Sequence, residues 1–372
     1  MKRHFKYLHI FYQDGGGRFV SNIISAFDTS SYHTNISEHL WVTNDFQAFE
    51  RWKHDRSIIY SRKNMIHHIN KYGSQANWIF IHGLSVPLYC LIFIKPWYDK
   101  KIIWRTWGHD ICMPTKAKAT VKQLLKMLLL VLCKKRVKRF KLVGLANIVD
   151  ELKVKLVFGS DVVTANVPYG LSERECKKRN DVLHSLVSDY KKTDDVCRIM
   201  IGHSAYPIDN HVGMINKVKR FMNENIRVYV MLPYGQKDYA EAVKEYALHT
   251  LGDKCVIVDR RKPLEEFFSF LLTMDIAILD MQDSAALGIL SYLVLAHKKV
   301  FLRKDGDIHR AFDYCGLPCG LTDDLDSISY DTFSSPIEYD TEKALLALNP
   351  ALLNAGYSSD AWNYIFEELL IK

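Results

Sequence analysis

The sequence lacks any apolar stretch approaching the roughly 20 residues that a membrane-spanning helix needs. Its longest candidates are Val86–Ile94 and Met127–Leu132, the second inside a basic segment. An integral helical membrane protein is therefore not expected, although attachment to a membrane surface stays open. The eight cysteines, at 90, 112, 133, 176, 197, 255, 315 and 319, form no CxxC pair and no zinc spacing. They read as structural thiols of a reduced, cytoplasmic protein. Met1–Leu8 is basic and aromatic and lacks the apolar core and small-residue cleavage site of a signal peptide. Internal repeats and low-complexity tracts are also missing. No aromatic-interleaved basic motif of a nucleic-acid reader occurs, so nucleic acid is not expected as a partner.

What is present is the balance of a globular protein: 48% hydrophobic and 25% charged residues. A chain of 372 residues exceeds one ordinary core and fits two domains. The net charge of +8 points to an anionic partner, a phosphate, nucleotide or lipid headgroup, without choosing among them.

Short apolar runs alternate with helical periodicity twice along the chain. Strands are expected at Tyr7–Tyr12, Trp41–Val42, Ser57–Tyr60, Trp78–Ile81, Lys101–Thr106, Lys141–Ala146 and Val162–Val167. Helices are expected between several of them, including one over Lys116–Lys141. Glu173–Asp195 turns charged and reads as helix plus linker. A second series starts at Arg198–Ile201 and continues through Arg227–Leu232, Cys255–Val258, Ile276–Asp280 and Lys299–Leu302. Two such series imply an α/β protein with two doubly wound, Rossmann-like parallel sheets. The expected domains are 1–180, completed by a C-terminal helix within about 345–372, and 196–344. Ligands of such sheets gather beyond the C-terminal ends of the strands, where the glycine turns lie.

The second series carries the sharper constellation. Strand Arg198–Ile201 runs into Gly202-His203-Ser204, where a glycine lets backbone approach a ligand and a hydroxyl can donate to phosphate. Between Asp280 and Gly288, small residues leave the first turn of the next helix open as a seat for a diphosphate. Ser284 there could equally be an ordinary N-cap. Asp305-Gly306-Asp307 has the D-x-D pattern of metal-dependent sugar transferases and is also an ordinary turn; no metal is assigned to it.

In the first series, Asp14 opens a glycine turn after the first strand. Trp104-Arg105-Thr106-Trp107-Gly108-His109-Asp110 follows the fifth strand. Trp104 and Trp107 could stack on a sugar, with Asp110 as general base, or form a core pair with Asp110 capping the next helix. His82, at the exit of a neighbouring strand, is the alternative base. Segment 116–141 sets Lys122, Lys126, Lys134, Lys135 and Arg136 among apolar residues. Read as a helix, it can bury Leu124, Leu125, Leu128 and Leu132 while its cations meet anionic lipid.

These residues resemble a known family, the TDP-N-acetylfucosamine:lipid II N-acetylfucosaminyltransferases of glycosyltransferase family 56. The matching stretches are His82-Gly83 with Pro87, Trp104-x-x-Trp107-Gly108-x-Asp110, and Gly202-x-Ser204 with Asn210-His211. The Tyr234 turn, Asp275, Gly288 and Trp362 follow in the same order. The resemblance implies a GT-B fold with two Rossmann-like domains facing a cleft, and a C-terminal helix that packs back on the first domain. It implies no metal or other cofactor, and transfer of an amino- or deoxy-sugar from a nucleotide-diphosphate donor. The implied acceptor is a polyprenyl-diphosphate-linked saccharide, met peripherally at the cytoplasmic face of the bacterial inner membrane during envelope or capsular polysaccharide synthesis. Donor contacts would come from Gly202, Ser204, Asn210, Tyr234, Glu265, Ser284, Gly288 and Asp305, and acceptor-side contacts from Asp14, Trp104 and Trp107. The remaining alternatives are a nucleotide-sugar epimerase or hydrolase of the same fold, and a non-catalytic nucleotide-sugar or lipid-binding protein.

Overall fold

The computed structural model describes residues 5–11, 20, 21, 23, 24, 27, 34–62, 65–85, 88, 94–108, 110, 111, 121–168 and 173–370. The chain divides into two compact units, one of 1–176 with 354–372 and one of 177–353.

The first unit is built on seven parallel strands: β1 (Tyr7–Phe11), β2 (His39–Thr43), β3 (Ile58–Tyr60), β4 (Trp78–His82), β5 (Ile102–Arg105), β6 (Leu142–Leu145) and β7 (Thr164–Asn166). Their order is β3-β2-β1-β4-β5-β6-β7, a doubly wound sheet whose direction of growth reverses between β1 and β4. β1 is buried along its whole length, because helices cover both faces of such a sheet. One face packs Leu8, Ile10, Ile79, Ile81 and Trp104; the other packs Tyr7, Phe11, Trp41 and Phe80.

The second unit holds β8 (Cys197–Ile201), β9 (Ile226–Met231), β10 (Cys255–Val258), β11 (Ile276–Leu279), β12 (Lys299–Leu302) and β13 (Gly320–Leu321). These run parallel in the order β10-β9-β8-β11-β12-β13, reversing between β8 and β11. The rim beyond β8 and β11 is thus the place where this sheet can take a ligand.

The expected helix over 116–141 is described over Val121–Val137 and ends four residues early, while 112–120 lie outside the described residues. The sequence reading also passed over β13 and the helices Asp307–Tyr314, Tyr330–Ser334 and Thr341–Leu348. Those helices are each eight residues or fewer, too short for apolar periodicity to stand out. The C-terminal helix Tyr357–Tyr364 continues as a π-helical turn, Ile365–Leu369, and returns to the first unit. There Trp362 donates its indole N–H to the Pro168 carbonyl at 3.1 Å. Its ring lies edge-on to Phe27, and Phe366 lies edge-on to Tyr7.

Candidate functional site

On the second sheet, β8 runs into Gly202, whose φ of +71° lies where L side chains are strained. A Cβ there would stand 2.3 Å from Nε2 of His211. His211 is fixed in place. Its Nε2 lies 3.1 Å from the Met231 carbonyl and its Nδ1 3.2 Å from the Tyr239 hydroxyl. Burial lowers its pKa below 6.5, so the neutral ring holds the turn against β9. The glycine is required because an imidazole occupies the space its side chain would need.

Asp209, fully buried, ties this turn together. It accepts from the His203 backbone N–H at 3.0 Å and the Ser204 hydroxyl at 2.6 Å, and its Oδ1 lies 2.6 Å from His203 Nδ1. Ser204 therefore does not offer its hydroxyl to a phosphate, as the sequence suggested; Asp209 already takes that proton, and Ser204 is itself completely covered. Asn210 adopts left-handed backbone, φ +48°, and its amide donates to Asp280 Oδ2 at 2.7 Å. Asp280 also accepts from the Thr322 hydroxyl at 2.5 Å. Asn210 thus braces the β8 and β11 exits against each other. With Asp280, Lys217, Arg303 and Asp305 it lines a cavity of about 640 Å³ on this rim.

The neighbouring exit, after β9, is zipped to the first. Ala205 N–H donates to the Tyr234 carbonyl at 2.6 Å and Gln236 N–H to the Ala205 carbonyl at 2.8 Å. Backbones this close leave no room for a side chain: a Cβ on Gly235 would lie 2.4 Å from the Ala205 oxygen. The zipper presents the exposed Tyr234 on the rim. The Arg261 guanidinium lies 4.6 Å over its ring and His203 stands edge-on at 6.2 Å. Burial, followed by the charge of Asp209, raises the pKa of the Tyr234 hydroxyl, which stays a neutral donor.

Beyond β11, the helix Leu287–Leu295 begins after Ala286, a left-handed residue with no capping side chain. Ser284 is accordingly not the N-cap, and the first-turn N–H groups lack a side-chain acceptor at the cap. A Cβ at Gly288 would meet nothing within 4 Å among the described residues, so the space beside this turn is open there. Glu265 is exposed in the first turn of the helix Leu264–Leu272. Asp305 is bound to Arg303 at 2.5 Å, and Asp307 pairs with Arg310. The two carboxylates of the D-x-D trio thus face separate guanidinium groups, and the described residues hold no cluster fit for a metal ion.

On the first sheet, the rim after β4 and β5 is organised by Asp110. Its buried carboxylate accepts from Leu84 N–H at 2.9 Å, Trp104 Nε1–H at 2.9 Å and Trp107 N–H at 2.8 Å. Asp110 clamps two loops and is not the open base that the sequence suggested. Trp104 is likewise not a sugar platform. It is completely buried with its ring edge-on to Phe158. Trp107 is half-exposed beneath the Arg105 guanidinium, at 5.8 Å. Arg105, fully buried, donates its Nε–H to the Val167 carbonyl at 2.5 Å. Asp14 lies outside the described residues. His82 is buried with Nε2 3.1 Å from His9 Nδ1, while its own Nδ1 has no hydrogen-bond partner among the described residues.

In the helix Val121–Val137, Leu124, Leu125, Leu128 and Leu132 are not buried but exposed, as are Val121 and Val131. The helix docks instead through Leu129 and Val137. Lys134 and Lys135 are exposed, whereas Arg136 turns inward to a bidentate pair with Asp99, 2.6 and 3.0 Å. Arg136 is therefore an internal strut rather than a membrane contact. The side chains of Lys122 and Lys126 lie outside the described residues. No helix among those described is long and apolar enough to cross a membrane.

The model of the 4-alpha-L-fucosyltransferase family, glycosyl transferase group 56, matches residues 33–333. The chain belongs to glycosyltransferase group 56. No protein of curated function matches it by sequence. Its fold is shared with HepE of Anabaena, solved with UDP and glucose, at 12% identity and a TM-score of 0.59 over 99% of this chain and 100% of that one. A glycosyltransferase from Rickettsia africae aligns at 12% identity and a TM-score of 0.58, covering 99% and 96%. MnaA of S. aureus, in a co-structure with UDP, aligns at 12% identity and 0.56, covering 99% and 98%. The group 56 chain is thus a GT-B glycosyltransferase.

The sequence reading missed Asp209, Arg261, Arg105, His9 and His39. Arg260-Arg261-Lys262, a basic triplet one residue beyond β10, was a legible signal for Arg261. Asp209 carried none, since its partners converge only through the turn.

Proposed function

We propose that this glycosyltransferase moves an amino- or deoxy-sugar of the fucose type from a nucleotide-diphosphate donor to a polyprenyl-diphosphate-linked saccharide at an anionic membrane surface. The domain of residues 196–344 would take the donor, and that of residues 1–180, with 345–372, the acceptor. The observation that carries the lipid-linked part is the outward face of the helix Val121–Val137. Leu124, Leu128 and Val131 are each more than half exposed there, and Lys134 and Lys135 follow. A soluble surface has no reason to display such a stripe, whereas an interfacial helix buries it among acyl chains with its lysines at anionic headgroups. Pro96–Lys101, tied to this helix by the Asp99–Arg136 pair, adds an exposed Trp97 with Lys95 over its ring at 4.9 Å. An aromatic–lysine pair suits the headgroup level.

On the donor side, the base would rest against Tyr234 and Arg261, with Gly202 and Asn210 shaping the turn beside it and Glu265 near the ribose. The diphosphate would meet the open first turn around Ser284–Gly288. Oriented N–H groups there offset the charge that grows as the anomeric carbon–oxygen bond breaks, the task a metal performs in other transferases. Asp305, on the rim cavity, would border the sugar hydroxyls. On the acceptor side, His82, whose Nδ1 is closed off from solvent in the unliganded protein, would take the proton of the attacking hydroxyl once acceptor binding opens the rim above it; Trp107 would border the acceptor sugar, and Asp110 and Trp104 would hold the loops.

The test is transfer from radiolabelled UDP-, TDP- and GDP-sugars to polyprenyl-diphosphate-linked saccharides in anionic vesicles. Label should partition into the organic phase. Label confined to free sugar or to an epimerised nucleotide-sugar would defeat the proposal in favour of hydrolase or epimerase chemistry. Equal rates with delipidated acceptor would defeat its membrane half.

A further inference from the structure

Three histidines line one face of the first sheet in a place where parallel strands normally carry only apolar side chains. His39 opens β2, His9 is central in β1, and His82 closes β4. All three are fully buried. His39 Nδ1 lies 2.8 Å from His9 Nε2, and His9 Nδ1 lies 3.1 Å from His82 Nε2. At the far end, His39 Nε2 meets the hydroxyl of the half-buried Thr34 at 2.9 Å. At the near end, His82 Nδ1 is buried at the rim without a partner among the described residues. The rings are held by stacking: His9 between Trp41 and Phe80, at 4.0 and 4.6 Å, and His82 on Phe11 at 3.9 Å. Tyr7, Phe27 and Phe366 enclose His39.

A neutral imidazole carries one N–H, and each contact in the row needs one donor and one acceptor. Only two arrangements satisfy both histidine contacts. Either every ring is protonated at Nε2, pointing its hydrogen towards Thr34, or every ring is protonated at Nδ1, pointing it towards the rim. The two differ by one proton passed along the row. The first leaves a lone pair on His82 Nδ1, and the second an N–H.

We propose that His82, His9 and His39 act as a proton relay that carries the acceptor hydroxyl's proton from the rim of the first sheet to Thr34. The proposal rests on the reading of His82 as the base. As the acceptor oxygen bonds to the anomeric carbon, its proton moves to His82 Nδ1, and the carbon–oxygen bond to the diphosphate breaks with its electrons leaving on oxygen. The Nε2 proton of His82 passes to His9 Nδ1, that of His9 to His39 Nδ1, and that of His39 to Thr34 Oγ. Thr34 gives its own hydrogen to water. No ring is left charged, which matters because burial, and for His82 the nearby Arg105, strongly disfavours an imidazolium here. The charged groups acting on the row are Arg105 at His82 and Lys6 at His39, both cationic. When product leaves and water enters the rim, the same shifts in reverse restore the first arrangement.

His9 and His39 are positioning residues by this account, and the test separates relay from packing. Nitrogen-15 NMR of the unliganded full-length protein should find all three rings in one tautomer, or exchanging as a unit; rings of opposite tautomer side by side would overturn the relay without reference to transfer activity. Thr34→Val removes only a half-buried hydroxyl and is expected to fold. Thr34→Val and His39→Gln should lower kcat at least about tenfold, leave the acceptor KM unchanged, and turn a curved proton inventory in mixed H2O and D2O linear. Unchanged kcat and a curved inventory in both variants would overturn the relay. Full turnover in His82→Gln would instead overturn the base assignment on which the relay rests.

Discussion

Gly288 lies in the first turn of the helix Leu287–Leu295, and a methyl group on its Cα would meet no atom within 4 Å. Packing therefore gives no reason for a glycine there, and helix propensity argues against one. Alanine should stabilise the second unit by about 0.5–1 kcal/mol, since it removes freedom from the unfolded chain without a clash. For a unit of this size that is a rise in Tm of about 1–4 °C. The same methyl would stand where a diphosphate approaches the open N–H groups. Weakening one charge-assisted hydrogen bond costs roughly 1.5 kcal/mol or more, so donor affinity should fall about tenfold. Gly288→Leu, which fills the space, should abolish saturable binding and keep the fold. The assay pairs thermal unfolding of the free protein with calorimetric titration of the nucleotide-sugar. Binding of both variants at the wild-type affinity would move the donor site away from this helix. A fall in Tm for Gly288→Ala would show that the space is not open.

Four further outcomes follow from the geometry. Asp110→Asn replaces an acceptor of three N–H groups with an amide that cannot accept from all of them, and should lose about 2–3 kcal/mol in urea unfolding; unaltered stability with abolished turnover would return it to the role of base. Gly202→Ala should cost about 3 kcal/mol or more, from left-handed strain and the displaced His211, and the loss should appear in the Tm of the free protein. Burial holds the folded-state pKa of His39 at about 3, below its unfolded value of about 6.5. The unfolded state therefore binds the proton first. The contribution of His39 is complete above about pH 6.5 and falls by about 1.4 kcal/mol per pH unit down to about pH 3, a part of the acid slope that His39→Gln should remove in acid titrations followed by circular dichroism. Leu128→Asp with Val131→Asp should weaken co-sedimentation with anionic vesicles while Tm stays within about 1 °C, because both side chains already face outward.

Periodicity and turn chemistry determined much of this protein before any contact was known. The alternation of apolar runs and helices from Tyr7 to Leu302 placed twelve strands to within two residues or so, because a strand buried on both faces must be continuously apolar. The glycine at 202 marked a strand exit because a left-handed residue is written into composition. Between Asp305 and the expected C-terminal helix the elements were not legible, since short helices and the two-residue β13 carry too few apolar repeats.

What a polar residue does at such an exit was decided by partners distant in sequence. Asp110 became a clamp because Leu84 and Trp104 aim N–H groups at it, and Ser204 became a tie because Asp209 folds back beneath it. Arg136 reads as one of a basic run and is spent on Asp99, 37 residues away. The histidine row is invisible in the sequence, where His9, His39 and His82 stand 30 and 73 residues apart, and exists because parallel register sets His9 beside Trp41 and Phe80. Propensity acts on neighbours in the chain, whereas a carboxylate or an imidazole takes its role from whatever donor the fold brings within about 3 Å.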